Sequence, residues 1–243
     1  MSTAIADAAE PPRPSRADLR SYAGTLWRIF EAQHRISTVR LTDNAADQMR
    51  LEMLVEDVKP DLPPAARGLH FLLAAPFRYW HAKPTRFRRG GIRPGIFYAS
   101  EREETALAET AYWRLRFFAA APGMALPKTT SEHSAFTVDV RAARALDLTV
   151  PPLDAGKAAW MDPDDYTACQ TLGDRARTLE TQLVRYRSVR DAVGDANAAV
   201  MDPAVFAGPP HVRTTWHLRL EAGGLTAQAA FPSARRFVFR AEA

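Results

Sequence analysis

The sequence predicts an α+β fold, a strand-rich core with helices packed around it, and three observations lead there. Short apolar or alternating runs recur at 26–30, 96–99, 135–140, 184–189 and 215–220, as half-buried strands do. Amphipathic helical patterns lie between them, the clearest beginning just after Ser100. At 243 residues and 47% hydrophobic content the chain can bury a full core. The expected organisation is an arm over 1–17 and one domain over 18–243, with a helical insertion at about 43–75.

Each element has a local reason. Residues 1–17 are small, polar and proline-bearing, too poor in apolar surface to order themselves, and so predict a flexible arm. Leu26-Trp27-Arg28-Ile29-Phe30 reads as an opening strand around one arginine. Met49, Leu54, Val55 and Val58 predict a helix over 43–58 that Pro60 ends, and a second helix follows over 65–74. Arg93-Pro94-Gly95 is a turn, since proline fixes φ and glycine accepts positive φ, and a short strand through Tyr98 follows. Ser100 is placed to cap a helix, with Glu103 completing a capping box and Glu101 and Glu104 at the positive end of the dipole.

Along that helix Leu107, Ala111, Leu115 and Phe118 form an apolar stripe, and Glu109 lies off its centre, where it can edge into a cleft. The plain alternative is a solvated helix carboxylate. Farther on, 135–140 is a strand and 164–181 a helix with acidic residues in its first turn, carrying Cys169 as a small buried residue. Tyr166, Thr167 and Gln170 on it either face a site or serve as cap and core. The run 184–189 is a strand ending near Ser188, and two or three closing strands follow through 215–220 and 237–239.

Composition excludes several classes. The net charge of +4 is spread along the chain, and Lys59, Lys83, Lys128 and Lys157 are the only lysines, too diffuse a basic excess to imply nucleic acid. Arginine suits forked phosphate recognition. A single cysteine excludes an internal disulfide and a CxxC site, and the histidines make no HxxxH spacing, so no metal is expected. The absence of a long apolar run or leader pattern leads to the expectation of a soluble, reducing, cytoplasmic setting without a membrane.

Arg86-Phe87, then Pro94-Gly95-Ile96-Phe97-Tyr98-Ala99-Ser100, then Thr105-Ala106-Leu107-Ala108-Glu109, resembles the core of the RES-domain family, named for an arginine, a glutamate and a serine. In that resemblance Arg86, Tyr98 and Glu109 fill the arginine, strand tyrosine and helix glutamate, and Leu146-Asp147-Leu148-Thr149 continues it. Ser188 in Val184-Arg185-Tyr186-Arg187-Ser188 fills the serine, although Tyr186-Arg187 stands where the family has V-P and Asp202 replaces the last asparagine of the run after Asn197. Arg28 fills an early arginine, with Arg78 as its rival, and Ser233 is out of order. The likeness spans 27–206, apart from the inserted helices.

The resemblance implies an ADP-ribosyltransferase-like split β-sandwich, NAD+ as substrate, and a toxin whose partner is an Xre-like antitoxin that blocks the cleft. The implied reaction cleaves the nicotinamide–ribose bond, with ADP-ribose passing to water, phosphate or a protein. A carboxylate beside the ribose stabilises oxocarbenium character, which suits Glu109. Arg86, with Arg28, would fork onto the diphosphate. Tyr98 would stack on the nicotinamide or ribose, and Ser188 would hydrogen-bond instead of attacking. The alternatives are a mono-ADP-ribosyltransferase acting on a protein, a catalytically silent nucleotide- or partner-binding module, and a nucleic-acid binder using 86–93.

Overall fold

Long alternating runs can be hydrogen-bonded on both edges, and one such strand organises this molecule. The computed structural model of the chain describes residues 10–31, 44, 46–47, 49–51, 54, 59–79, 83–120, 123 and 126–240. Among these, the strands are β1 (Arg20–Glu31), β2 (Phe97–Ser100), β3 (Ser131–Asp147), β4 (Leu183–Arg187), β5 (Ala196–Val200), β6 (His211–Glu221), β7 (Gly224–Ala229) and β8 (Arg236–Arg240). The α-helices are α1 (Phe71–Arg78), α2 (Glu103–Ala119), α3 (Lys157–Trp160) and α4 (Thr167–Thr178).

The sheet order is β1-β2-β5-β4-β3-β6-β7-β8, with β1 also paired to β3. One edge of β3 carries antiparallel β1 from Arg20↔Ala145 to Glu31↔His133. Its other edge carries antiparallel β6 along its first half and parallel β4 at Ala145–Asp147. Because β1 also meets β2 at Trp27↔Ser100, five strands close on themselves and β6 to β8 run on as an extension. Between β6 and β4 the edge of β3 is capped by a bridge from Val140 to Phe206. The α+β class is therefore correct at the level of a strand-rich core with helices. Double-edged pairing explains why β3 is far longer than the expected 135–140.

Three apolar clusters hold the layers. Leu26, Phe97, Phe136, Leu183 and Val200 pack one face of the closed strands against Leu73 and Phe77 of α1. Leu146, Val184, Tyr186 and Ala199 pack the other face against Trp160, Cys169 and Leu172. Leu107 and Ala111 of α2 meet Trp216, Leu218 and Leu225 of the extension. Two glycines mark close approaches. A Cβ at Gly95 would stand 2.0 Å from the Pro76 carbonyl oxygen, and one at Gly173 2.2 Å from that of Phe87.

Several local expectations change. Ser100 does not cap α2: Arg102 is the N-cap residue and makes no side-chain cap bond. Ser100 stays in β2 opposite Asn197. Glu103 is 5% exposed and accepts from Trp216 Nε1 at 2.8 Å and Arg235 Nη1 at 2.7 Å. A capping box contributes about 1 kcal/mol, whereas a buried charge stripped of its partner costs about 3–5 kcal/mol, so tertiary pairing wins. The acidic residues near α4 sit before it, where Asp165 Oδ1 accepts from Thr167 N at 2.8 Å.

Of the arm expected over 1–17, residues 10–17 are described, with Pro14 buried and its carbonyl accepting from Arg175 of α4 at 2.9 Å. Residues 1–9 and most of the expected helix over 43–58 are outside the described residues. The helix expected over 65–74 is a 3₁₀ turn, Pro64–Ala66, followed by α1. No helix among the described residues is long and apolar enough to cross a membrane.

Candidate functional site

Helix α2 carries two stripes. Leu107, Ala111, Leu115 and Phe118 face the extension, as their spacing predicts. Thr105, Glu109, Tyr112 and Arg116 recur at i, i+4, i+7 and i+11, and this second face meets the loop after β4 and the segment before α4. Thr105 Oγ1 donates to Asp191 at 2.7 Å. The Arg190 guanidinium lies 3.6 Å over the Tyr112 ring. Arg116 donates to the Tyr112 hydroxyl at 2.6 Å and stands 3.7 Å from the Asp164 carboxylate.

Glu109 is the centre of this wall. Its Oε1 accepts from Ser188 Oγ at 2.7 Å and from Asn197 Nδ2 at 2.7 Å. Neither donor is charged, so neither cancels the carboxylate's charge. Among the described residues no hydrogen bond reaches Oε2, and the side chain is half-buried. Ser188, at the end of β4, is buried. Its oxygen also accepts from the backbone N–H groups of Arg190 at 3.1 Å and Asp191 at 3.2 Å. Asn197 is held from behind by Ser100, whose Oγ donates to Asn197 Oδ1 at 2.7 Å. That bond fixes the amide so that its NH₂ faces the carboxylate.

The other residues expected at a site lie deeper. Arg86 is 8% exposed, and its Nη1 donates to the carbonyls of Trp160 at 2.9 Å and Asp162 at 3.0 Å while the guanidinium stacks 4.5 Å from the Tyr166 ring. The Tyr98 hydroxyl is shared with Thr85 Oγ1 at 2.8 Å and accepts from Phe87 N at 3.2 Å, and burial raises its pKa. Arg28 Nη1 donates to the Tyr98 carbonyl at 2.8 Å over the Phe97 ring. Burial brings its pKa down to about 10, which leaves it cationic at neutral pH. Gln170 reaches the Thr85 carbonyl at 3.3 Å, so Tyr166 and Gln170 brace the arginine loop.

The predicted residues thus fall into two groups. Glu109 and Ser188 are bonded together, while Arg86, Tyr98 and Arg28 are engaged with backbone and aromatic neighbours. Tyr186 joins the groups. Its phenol is pushed well above the usual range, first by burial and then by the charge of Glu109, and it also lies within electrostatic reach of Tyr98 and Arg86. Ser233 lies in the turn between β7 and β8, where its Oγ accepts from Arg235 N, and has no part in this cluster.

An open depression of about 530 Å³ adjoins the cluster, lined by Ser188, Arg190, Asp191 and Arg187 with Lys157 and Met161 opposite. A second hollow of about 220 Å³ shares Lys157, Met161 and Arg187. Sequence reasoning missed the amide of Asn197 as a partner of the carboxylate and Ser100 as the group that holds that amide. They are 97 positions apart, joined only by the β2–β5 pairing, and no local pattern marks them. The polar stripe of α2 was available as a periodic signal.

Comparison with curated proteins finds no match. Among solved structures, the chain is similar to the crystal structure of the M. tuberculosis MbcT–MbcA toxin–antitoxin complex, at 18% identity and a TM-score of 0.48 over 83% of this chain and 87% of that one. The RES domain matches residues 62–221, a span that holds Arg86, Tyr98, Ser100, Glu109, Ser188 and Asn197, runs past Phe206 and leaves β1 with Arg28 outside. The chain belongs to the RES-domain family.

Proposed function

We propose that the chain is a toxin-like enzyme that cleaves the nicotinamide–ribose bond of NAD+ in an ADP-ribosyltransferase-like cleft, and that an Xre-like antitoxin covers the cleft. The observation that carries the reading is the Glu109 carboxylate, held on one oxygen by two neutral donors, one of which, Ser188, lines an open depression. As the bond to nicotinamide lengthens, positive charge grows on the ribose and its ring oxygen. A carboxylate already oriented, with its charge uncancelled, attracts that charge more strongly than it attracts the ground-state ribose. The bonding pair leaves with nicotinamide, and water or phosphate supplies the new bond to the anomeric carbon. Hydrolysis gives nicotinamide, ADP-ribose and a proton, and phosphorolysis gives the ribosyl phosphate.

Ser188 is a positioning residue in this scheme, because its hydroxyl donates to the Glu109 carboxylate and its oxygen accepts two backbone N–H groups. Arg86 and Arg28, each through Nη1, and Tyr98, through its hydroxyl, brace the walls of the site. Purified protein incubated with NAD+ should release nicotinamide, with ADP-ribose or its 1-phosphate as the other product by mass spectrometry. Glu109→Gln keeps the shape and should still bind NAD+, with turnover down by about 10²–10³. Wild-type turnover in that variant would remove the carboxylate from the mechanism, and label appearing on an added protein would favour the mono-ADP-ribosyltransferase form.

A further inference from the structure

Cations suit the diphosphate of a dinucleotide, and the two arginines the sequence offered for it each commit Nη1 to backbone carbonyls. Arg86 Nη1 donates to two backbone carbonyls and Arg28 Nη1 to a third. Two other cations stand at the cleft. Lys157, at the start of α3, and Arg187, at the end of β4, are both exposed, and both line the larger and the smaller hollow. Among the described residues Lys157 Nζ makes no hydrogen bond, and Arg187 makes one long one, 3.4 Å to the Gly194 carbonyl. Arg187 directly precedes Ser188, the partner of Glu109.

The hollows differ in chemistry. The larger one runs along Ser188 to Gly194. The smaller is backed by Leu148, Trp160 and Met161, with Asp154 at its edge. Nearby acids are held elsewhere. Asp191 accepts from Thr105 and from Val193 N, Asp164 faces Arg116, and Asp147 faces Arg185. At about 220 and 530 Å³ the two hollows together fall within the range of about 300–1,000 Å³ common for small-ligand sites.

We propose that Lys157 and Arg187 hold the diphosphate of NAD+, that the smaller hollow takes the adenosine half, and that the nicotinamide half lies along Ser188 towards Glu109. This rests on the NAD+ reading of the cleft. A ligand with two ring-bearing halves and an anionic middle matches two hollows divided by two cations. Adenine lies flat on an apolar floor, and the Asp154 carboxylate accepts from a ribose hydroxyl. Arg187 offers a planar fork to phosphate and Lys157 a point charge.

Calorimetry with NAD+, ADP and nicotinamide riboside on the full chain tests the assignment, using Lys157→Ala/Arg187→Ala and, as a milder variant, Lys157→Gln. Both positions are exposed, and matching circular dichroism checks that the fold is kept. The double variant should bind NAD+ and ADP about ten- to a hundredfold more weakly, the size of a lost charged hydrogen bond, while nicotinamide riboside, which has no phosphate, binds as before. Equal NAD+ affinity in wild type and both variants would overturn the assignment and leave the NAD+ reading standing. ADP binding that is lost in the variants, together with no cleavage of NAD+ by wild type, would support the anion seat and sink the NAD+ reading. Wild type that binds neither NAD+ nor ADP would overturn both.

Discussion

Glu109 takes two hydrogen bonds on one oxygen, and the two donors are secured differently. Ser188 is fixed by two backbone N–H groups. The amide of Asn197 has only the Ser100 hydroxyl behind it, and without that bond it can turn its carbonyl towards the carboxylate. Ser100→Ala should therefore lower kcat by up to about a hundredfold with little change in KM, and cost about 1–3 kcal/mol of stability for the buried acceptor left unpaired. Ser100→Thr restores the donor and should restore kcat, which a purely structural role would not require. Full kcat in Ser100→Ala would remove Ser100 from the positioning chain. At this scale the sequence exposes residue type and order well. Glu109 and Ser188 are legible from helix, strand and family pattern, but Ser100 reads as a helix cap because the cap signal is local and its partner lies across the sheet. Arg86 is legible as a site candidate, but nothing in the chain announces that the Trp160 and Asp162 carbonyls will fold onto its Nη1.

The elements of the core were largely readable because their periods are strong. The opening strand, β2, α2 and the closing strands all lie where alternation or helical spacing puts them, while β3 outgrows its signal because it pairs on both edges. The contact between α4 and the arginine loop is less visible. Gly173 sits where a side chain would strike the Phe87 backbone, so Gly173→Ala should push the loop bearing Arg86 away and cost about 1–3 kcal/mol in urea unfolding. Unchanged stability would mean the helix can shift freely. On β3, His133 is 2% exposed, and its pKa is lowered below the ordinary 6.5 by burial first and by the Arg114 charge second. The unfolded chain then binds the extra proton first. The native state keeps this contribution above pH 6.5 and loses it as pH falls from there through the depressed folded value. Urea midpoints measured against pH should fall in that window for wild type and fall less for His133→Asn. Parallel curves would show that His133 does not couple folding to protons. Glu101 follows at lower pH. The hydrogen bond from Arg185 holds its carboxyl below the ordinary 4.5, so its contribution is present above that value and disappears beneath it.

Across the whole molecule, the closed strands, the extension and α2 have one joint consequence. They bring a carboxylate from residue 109, a hydroxyl from 188 and an amide from 197 to one point and leave the adjoining depression open. Under the proposed chemistry an uncovered cleft would turn over a metabolite that many redox reactions share, and the proposed antitoxin would supply control by covering the opening. Induced alone in a bacterial host, the wild-type chain should therefore arrest growth with a fall in cellular NAD+ that precedes the arrest. Glu109→Gln, at equal expression, should do neither. Co-expression of an antitoxin that binds the cleft should restore both growth and NAD+. The order of events carries the test. Arrest with unchanged NAD+ would redirect the chemistry to a protein acceptor. Arrest that persists in Glu109→Gln would detach toxicity from the carboxylate. Normal growth with normal NAD+ in cells that accumulate folded wild-type protein would sink the toxin reading in that host.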